Sequence, residues 1–439
     1  MTIRVHGLAA ALQTLLTETA ERAAKDSGLI VRKRKLTGAG FVQALVLGWL
    51  GDPLAKLEDL AAPLGVAVQS LHGRFNAKAV DCLRRVLGEA MAYLFEARPE
   101  TIPLLRRFPE VCLEDSTTCA LPAGLAGDYP GCGGSHPEAG RAGLKVIVQL
   151  EAITGRVRLC APVPASTSDR ALHASLPAVP PGGLRLADLG FFDLRRMAQD
   201  TVRGVFWISR VPARLTVRGG GESGGNIAER LSRHKSGRVD MTVTLGAQGQ
   251  LVCRLVAVRA PKEVAELRLR RLRKTLSKKG RKLSEAQRTL CEWTVMITNL
   301  LDAGRFSAEQ LRVLYRVRWQ VELLFKRWKS GGGLGRSRGR GAHRVLCEVL
   351  AKLLGVMITH RATLLRGGPL GTVSATRAGS RVRRSAGRLG RAIRSGDFEA
   401  IVDVLGRLKA ELDRLAQAST KGPADHAANP IRTAIRGLT

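Results

Sequence analysis

Three carboxylates in this chain stand where a carboxylate needs a reason. In "LYRVRWQVELLFKRWKSGGGLG" (residues 314–335), five Lys and Arg side chains surround a single acid, Glu322. The plainest explanation is a helical ion pair with Lys326, one turn on. In "VCLEDST", strand alternation puts Val111, Leu113 and Asp115 on one face and Cys112 and Glu114 on the other. In "LRLAD", Leu184, Leu186 and Asp188 share a face in the same way. An acid at the polar end of an apolar strand is what a metal site on a sheet edge requires. Mg²⁺ is a hard cation that takes carboxylate oxygens and keeps several waters. Two such ions shared by Asp115, Asp188 and Glu322 would activate a hydroxyl and stabilise the leaving oxygen of an in-line phosphoryl transfer. An isolated Asp is more often a turn or cap residue. Glu114 and Asp193 are read that way, with Asp193 in the first helical turn after Asp188.

The element that carries Glu322 is a helix. Ser307 and Gln310 form an S-x-x-Q capping box, and Gly331–Gly333 end the helix. At about 100° per residue, Tyr315, Arg318, Glu322, Lys326 and Lys329 fall on one polar stripe. Val317, Val321, Leu324, Phe325 and Trp328 lie opposite and are expected to pack on a sheet, leaving the stripe on the exposed side. A solvated charged face is the usual reason for such a stripe. The strands come from 109 onward: "VCLEDSTTCALP", a hairpin in "LKVIVQLEAITGRVRLCAPVPA" turning at Thr154-Gly155, "GLRLAD" running into a helix, "GVFWISRVP" and "EWTVMITNL". Strands followed by a strand–helix–strand unit indicate an α/β core.

Five segments follow. Residues 1–108 read as a helical DNA-binding domain, 109–210 and 291–367 as the two parts of the α/β core, 211–290 as a β-rich insertion with a basic helix, and 368–439 as a basic helical C-terminal tail. In the first, "DPLAKLEDLAAPLGVAVQSLHGRF" has a helix–tight turn–helix pattern with Gly65 at the turn. Its second helix would offer Gln69 and Ser70 to a major groove. Arg74 stands where an apolar residue is expected, and an ordinary helical hairpin fits equally well. Residues 262–290 hold 11 Lys and Arg against three Glu. Arg270, Arg271 and Lys274 are its candidate DNA contacts, against the commoner reading of a solvated helix.

Composition agrees with a polyanionic partner. Lys and Arg number 71 against 37 Asp and Glu, a net charge of +34. An excess of that size is neutralised most readily by nucleic acid. The eight cysteines show no C-x-x-C pair and no zinc spacing, so reduced thiols are expected. No signal peptide, lipidation motif or membrane-spanning run is apparent. We therefore expect a cytoplasmic, nucleoid-associated protein with no membrane association and no organic cofactor.

"YRVRWQVELLFKRWK" fits Y-x2-R-x3-E-x6-K through Tyr315, Arg318, Glu322 and Lys329. With "EDSTT" and "ADLGFFD" ahead of it, the chain from about 40 to 365 resembles bacterial insertion-sequence transposases of the IS-four family. The resemblance implies a ribonuclease-H-like catalytic core interrupted by a mostly β insertion, within the helical N-terminal domain and C-terminal tail already read. It implies Asp115, Asp188 and Glu322 as the D-D-E ligands of Mg²⁺, two ions with Mn²⁺ as a substitute. Tyr315, Arg318, Lys329 and the neighbouring Lys326 would contact DNA. The family often has D-R-G-[YF] after its second Asp, whereas Leu189 stands here in place of the Arg. Some members stack a flipped base on a Trp before the helix. Trp293 is the candidate, unless its place on the strand makes it core. The implied partners are double-stranded DNA, as transposon ends and target, and a second copy of the chain. Other readings are a ribonuclease-H-like nuclease without strand transfer and an inactive DNA-binding derivative.

Overall fold

The computed structural model describes residues 5–32, 35–93, 103–133, 141–154, 156–213, 215–219, 222–246, 251–277, 280–318, 321–322, 325, 329, 332–365 and 375–419. Helix α1 (Val5–Thr14) passes through one π-turn into α2 (Ala20–Asp26). Then come α3 (Gly38–Gly51), α4 (Leu57–Ala61), α5 (Val68–His72) and α6 (Ala77–Tyr93). Strands β1 (Val111–Ala120), β2 (Gly143–Glu151), β3 (Val157–Pro164) and β4 (Leu184–Ala187) lead to α7 (Leu194–Val202) and β5 (Phe206–Ser209). The next stretch holds β6 (Thr216–Gly219), β7 (Glu222–Asn226), α8 (Ile227–Arg233), β8 (Arg238–Leu245), β9 (Leu251–Arg259), α9 (Lys262–Ser277) and α10 (Glu285–Glu292). Strand β10 (Trp293–Thr298), α11 (Ala308–Val317), α12 (Ala342–Thr363), α13 (Ala375–Ser395) and α14 (Phe398–Ser419) complete the described elements.

These elements form two compact units. The first comprises Met1–Thr101, Ser116–Thr167 and Gln320–Thr433. Its centre is α3, "GAGFVQALVLGWLG", which is apolar on every side and accordingly buried nearly all round. Thr37 caps it by accepting a hydrogen bond from the Gly40 amide. Helices α2, α12 and α13 pack on α3, and α14 packs on α13 and α1. Helices α13 and α14 are therefore part of the same bundle as the N-terminal helices. The second half of β1, with β2 and β3, lies in this unit, and β2 is buried along its length. The candidate helix–turn–helix consists of α4 and the short α5, and Gly65 between them has φ +61°. Leu57, Leu60, Ala61 and Leu71 are buried, while Gln69 and Ser70 are exposed. Arg74, the residue out of pattern, donates to the Leu29 carbonyl at 3.1 Å.

The second unit comprises Ile102–Asp115 and Ser168–Trp319. Val111–Glu114 of β1 pair in parallel with Leu184–Ala187 of β4, and β4 in turn pairs in parallel with β5. Strand β10 joins β5 antiparallel, and β9, β8, β6 and β7 follow in that order. The stretch 211–290 holds β6 to β9, and these strands prolong the sheet outward from β10. Its apolar residues Ile227, Leu231, Val243 and Leu255 form one continuous core with Trp207 of β5 and Ile297 of β10. Capping boxes start α10 (Ser284, Gln287) and α11 (Ser307, Gln310). Among the described residues, no helix is long and apolar enough to cross a membrane.

Candidate active site

The parallel pairing of β1 and β4 places the two strand-borne acids. Glu114 is in register with Ala187, so Asp115 and Asp188 follow side by side where the two strands part. In α/β sheets, ligands gather at the carboxyl ends of parallel strands. Val111, Leu113, Leu184 and Leu186 are fully buried beneath them, as the alternation requires. The side chain of Asp115 is 14% exposed and that of Asp188 43%, so the second acid opens to solvent.

One guanidinium joins the pair. Arg318, at the end of α11, sets Nη1 3.3 Å from Oδ2 of Asp115 and Nη2 3.8 Å from Oδ1 of Asp188. Tyr315, one turn earlier, donates from its hydroxyl to the Ala187 carbonyl at 3.5 Å. The Arg318 guanidinium lies 5.6 Å from the centre of the Tyr315 ring. Burial pushes the Tyr315 phenol up to about 12, with Arg318 opposing, so at neutral pH it remains a proton donor. The polar stripe was expected on the exposed side. Instead Tyr315 and Arg318 are largely buried against the two acids, because the carboxylates attract the guanidinium inward. At Arg318 the helix tightens to a bond between its amide and the Tyr315 carbonyl, 3.2 Å.

Glu322 and Lys329 are helical residues of the other unit, the first half-buried and the second exposed. Burial raises the thiol pKa of Cys119, near the end of β1, and the charge of Lys329 opposes it, which places this lysine close to β1. Lys326 lies outside the described residues. Carboxylate oxygens on neighbouring strand ends, both in contact with the Arg318 guanidinium, are the hard donors that suit a divalent cation. Among the described residues, no group of three or more His, Cys, Asp and Glu is assembled for a metal.

Behind the acids lies a cluster that the sequence pattern does not reveal. Glu114 was expected as a turn or cap residue, but its side chain is 0% exposed. Its Oε1 accepts from Arg196 Nη2 at 3.0 Å, and its Oε2 lies 3.6 Å from Arg185 Nη1. Arg185 Nε in turn donates to Asp200 Oδ2 at 2.6 Å. The cluster ties β1, β4 and α7 together on the face away from Asp115. Asp193 caps α7 as expected, accepting from the amides of Arg195 and Arg196.

The remaining candidates divide. Arg270, Arg271 and Lys274 are exposed along α9, and Gln69 and Ser70 are exposed on α5. Trp293 must be corrected. It is 2% exposed at the start of β10, inside the core. The Arg259 guanidinium lies 4.8 Å from its ring centre. An indole enclosed this way offers no face for a base, and the physical reason is that β10 is covered on both faces. Leu189, where the family often has Arg, is 38% exposed.

Residues 106–358 match the sequence profile of the transposase DDE domain, more than half of the chain. The chain belongs to the DDE transposase family. Among its relatives is the transposase for insertion sequence element IS231B of Bacillus thuringiensis subsp. berliner, 26% identical over 366 residues, covering 77% of this chain and 75% of that protein. The transposase for IS231F of Bacillus thuringiensis subsp. israelensis is 27% identical over 376 residues, 79% of this chain and 78% of that one. The transposase for IS1151 of Clostridium perfringens is 24% identical over 368 residues, 76% of each chain. Like other DDE domains, this one depends on a divalent metal.

The buried cluster yields a stability prediction. Glu114→Gln leaves Arg185 and Arg196 short of a counter-charge in a dry site, a change worth about 3 kcal/mol or more. Glu309→Gln removes one of the two acidic partners of Arg238, in a half-exposed pair at 3.1 Å, and should cost under about 1 kcal/mol. Urea unfolding midpoints of the two variants measure the difference.

Proposed function

We infer that this protein is the DNA transposase of an insertion sequence, with Asp115, Asp188 and Glu322 as its acidic triad. The observation that carries this reading is the pair Asp115 and Asp188 at adjacent strand ends, both in contact with Arg318 of the Tyr315–Arg318 helix. The parallel run β1–β4–β5, crossed by α7, supports a ribonuclease-H-like core. The reaction is an in-line attack on a phosphodiester, by water and then by the freed 3′-hydroxyl, without a covalent bond to the protein. The triad would hold Mg²⁺, two ions with Mn²⁺ as a substitute, which activates the hydroxyl and stabilises the leaving oxygen when bound.

The chain's own side chains orient the DNA. The protonated Tyr315 phenol donates a hydrogen bond at the rim of the acid pair. Arg318 supplies a fixed positive charge where the scissile phosphate approaches, and Lys329 another further along. Arg270, Arg271 and Lys274 track the backbone, and Gln69 and Ser70 read base edges. Two ends must be held at once for transposition, so a homodimer forms on double-stranded DNA, in the bacterial cytoplasm at the nucleoid.

Glu322→Gln keeps the volume and removes the charge a hard cation needs. DNA affinity should hold or rise while cleavage in Mg²⁺ falls by orders of magnitude. Thermal melts recorded alongside check the fold. Near wild-type cleavage by this variant would place the third ligand elsewhere. Joining of pre-cleaved ends to target DNA distinguishes a transposase from a nuclease that only cuts and from a binder that does neither.

Neutralising Arg270, Arg271 and Lys274 together should weaken binding to all DNA sequences alike. The slope of log affinity against log salt should fall by about 0.9 for each phosphate no longer neutralised. An unchanged slope, measured by salt titration, would remove α9 from the interface.

A further inference from the structure

A cavity of about 400 Å³ opens in the helical unit, between the end of α5 and the start of α12. Its walls carry His72, Phe75, Arg338, Arg340, His343 and Arg344, and among the described residues no acidic side chain lines it. Such a volume lies within the range of small-ligand pockets, roughly 300–1,000 Å³.

The wall is built rather than incidental. Inside α12, Lys352 and Glu348 form an ion pair at 2.8 Å with side chains 1% and 2% exposed. The Lys352 ammonium also donates to the carbonyls of Arg336 at 2.5 Å and Gly333 at 3.3 Å. The Ser337 hydroxyl donates to Glu348 at 2.7 Å and accepts from the Gly339 amide at 3.0 Å. This buried chain fixes the loop that presents Arg338 and Arg340. Gly339 is itself buried, and a Cβ there would sit 3.1 Å from Cγ of Arg344. The Arg344 guanidinium lies 5.9 Å from the Phe75 ring centre, and its Nε is buried with no hydrogen-bond partner. Helix α12 begins at Gly341 with no side-chain cap, so the positive end of its dipole adds to the field.

Cationic walls without a counter-acid call for an anion. An aromatic ring and a recess call for something planar beside that anion. A duplex keeps its bases stacked and offers only phosphates, which would leave the half-buried Phe75 ring without a stacking partner from the ligand. The helix that leads into the cavity also exposes Gln69 and Ser70, so the recess adjoins the face assigned to DNA.

We propose that this cavity holds one unstacked nucleotide of single-stranded DNA, its base on Phe75 and its phosphate between Arg338, Arg340 and the first turn of α12. The proposal rests on the reading of the protein as an enzyme acting on DNA. It requires nothing of the acidic triad.

The test uses the full-length protein without metal and a single-stranded hexanucleotide of unrelated sequence carrying 2-aminopurine, whose fluorescence falls on stacking. Wild type should quench it saturably. Phe75→Leu keeps apolar volume against Phe41, whose ring lies 6.1 Å away, and should abolish the quench with about tenfold weaker binding. Arg338→Gln with Arg340→Gln alters exposed side chains only. This variant should lower the salt slope by about 0.7 for each phosphate no longer neutralised. Binding without quenching, or variants that bind and quench as wild type does, would overturn the proposal. A matched duplex bound as tightly and insensitive to Phe75→Leu would reduce the site to a backbone patch. Deoxyadenosine monophosphate that displaces the hexanucleotide at equal concentration would make it a free-nucleotide site and also overturn the proposal. The assay contains no metal and no cleavable end, so failure of the triad leaves its outcome standing.

Discussion

The burial of Glu114 between Arg185 and Arg196 constrains everything near Asp115 and Asp188, the proposed catalytic acids. A charge in a dry interior stays ionised only if its partners are close and well placed, and here they come from β4 and α7. Strand geometry then does the rest. With Glu114 turned toward the arginines, Asp115 must point to the opposite face. Asp200 completes the cluster through Arg185 and keeps the guanidinium from swinging out. A slip of one residue in β1 would put Asp115 among the arginines and Glu114 at the site, so the ion cluster also defines the register. We regard this as the reason an expensive set of charges is kept inside the sheet.

Much of this architecture was legible in the sequence because it rests on periods. The alternation around Asp115 and Asp188, the Ser307–Gln310 capping box and the strand at β10 are local signals, and the structure bears them out. What stands opposite a face is not local. The stripe through Tyr315 and Arg318 was readable as polar, but its burial against two acids depends on residues some two hundred and one hundred and thirty positions earlier. Trp293 failed for a related reason. Both faces of β10 are covered, so alternation loses its meaning there and an aromatic residue carries no sign of its direction. The joining of α13 and α14 to the N-terminal helices is likewise a long-range event that composition does not reveal, α13 being strongly basic and α14 mixed in charge.

The large positive charge acquires a clearer meaning once the acids are placed. Several of them are taken up in ion pairs: Glu114 and Asp200 in the buried cluster, Glu348 under the arginine loop, and Asp240, at the surface, against Arg254 at 2.7 Å. That last pairing holds the Asp240 carboxyl below the usual range. Acids so occupied do little to mask the surface. Exposed helices such as α9 therefore meet solvent with their positive charge nearly unopposed, which is the condition for capturing a polyanion from a distance.

The manner in which β9, β8, β6 and β7 attach to β10 has an evolutionary consequence. A strand at the margin of a sheet has a row of amides and carbonyls with no partner, and another strand satisfies them without disturbing what lies further in. Growth of this kind is additive. Segments between the second aspartate and α11 could lengthen, shorten or change their surface while the pairing of β1 with β4 stayed as it was. The fold thus separates a part that evolution can rewrite from a part it must preserve, and a lineage of mobile elements could acquire new DNA ends without rebuilding the chemistry that cuts them.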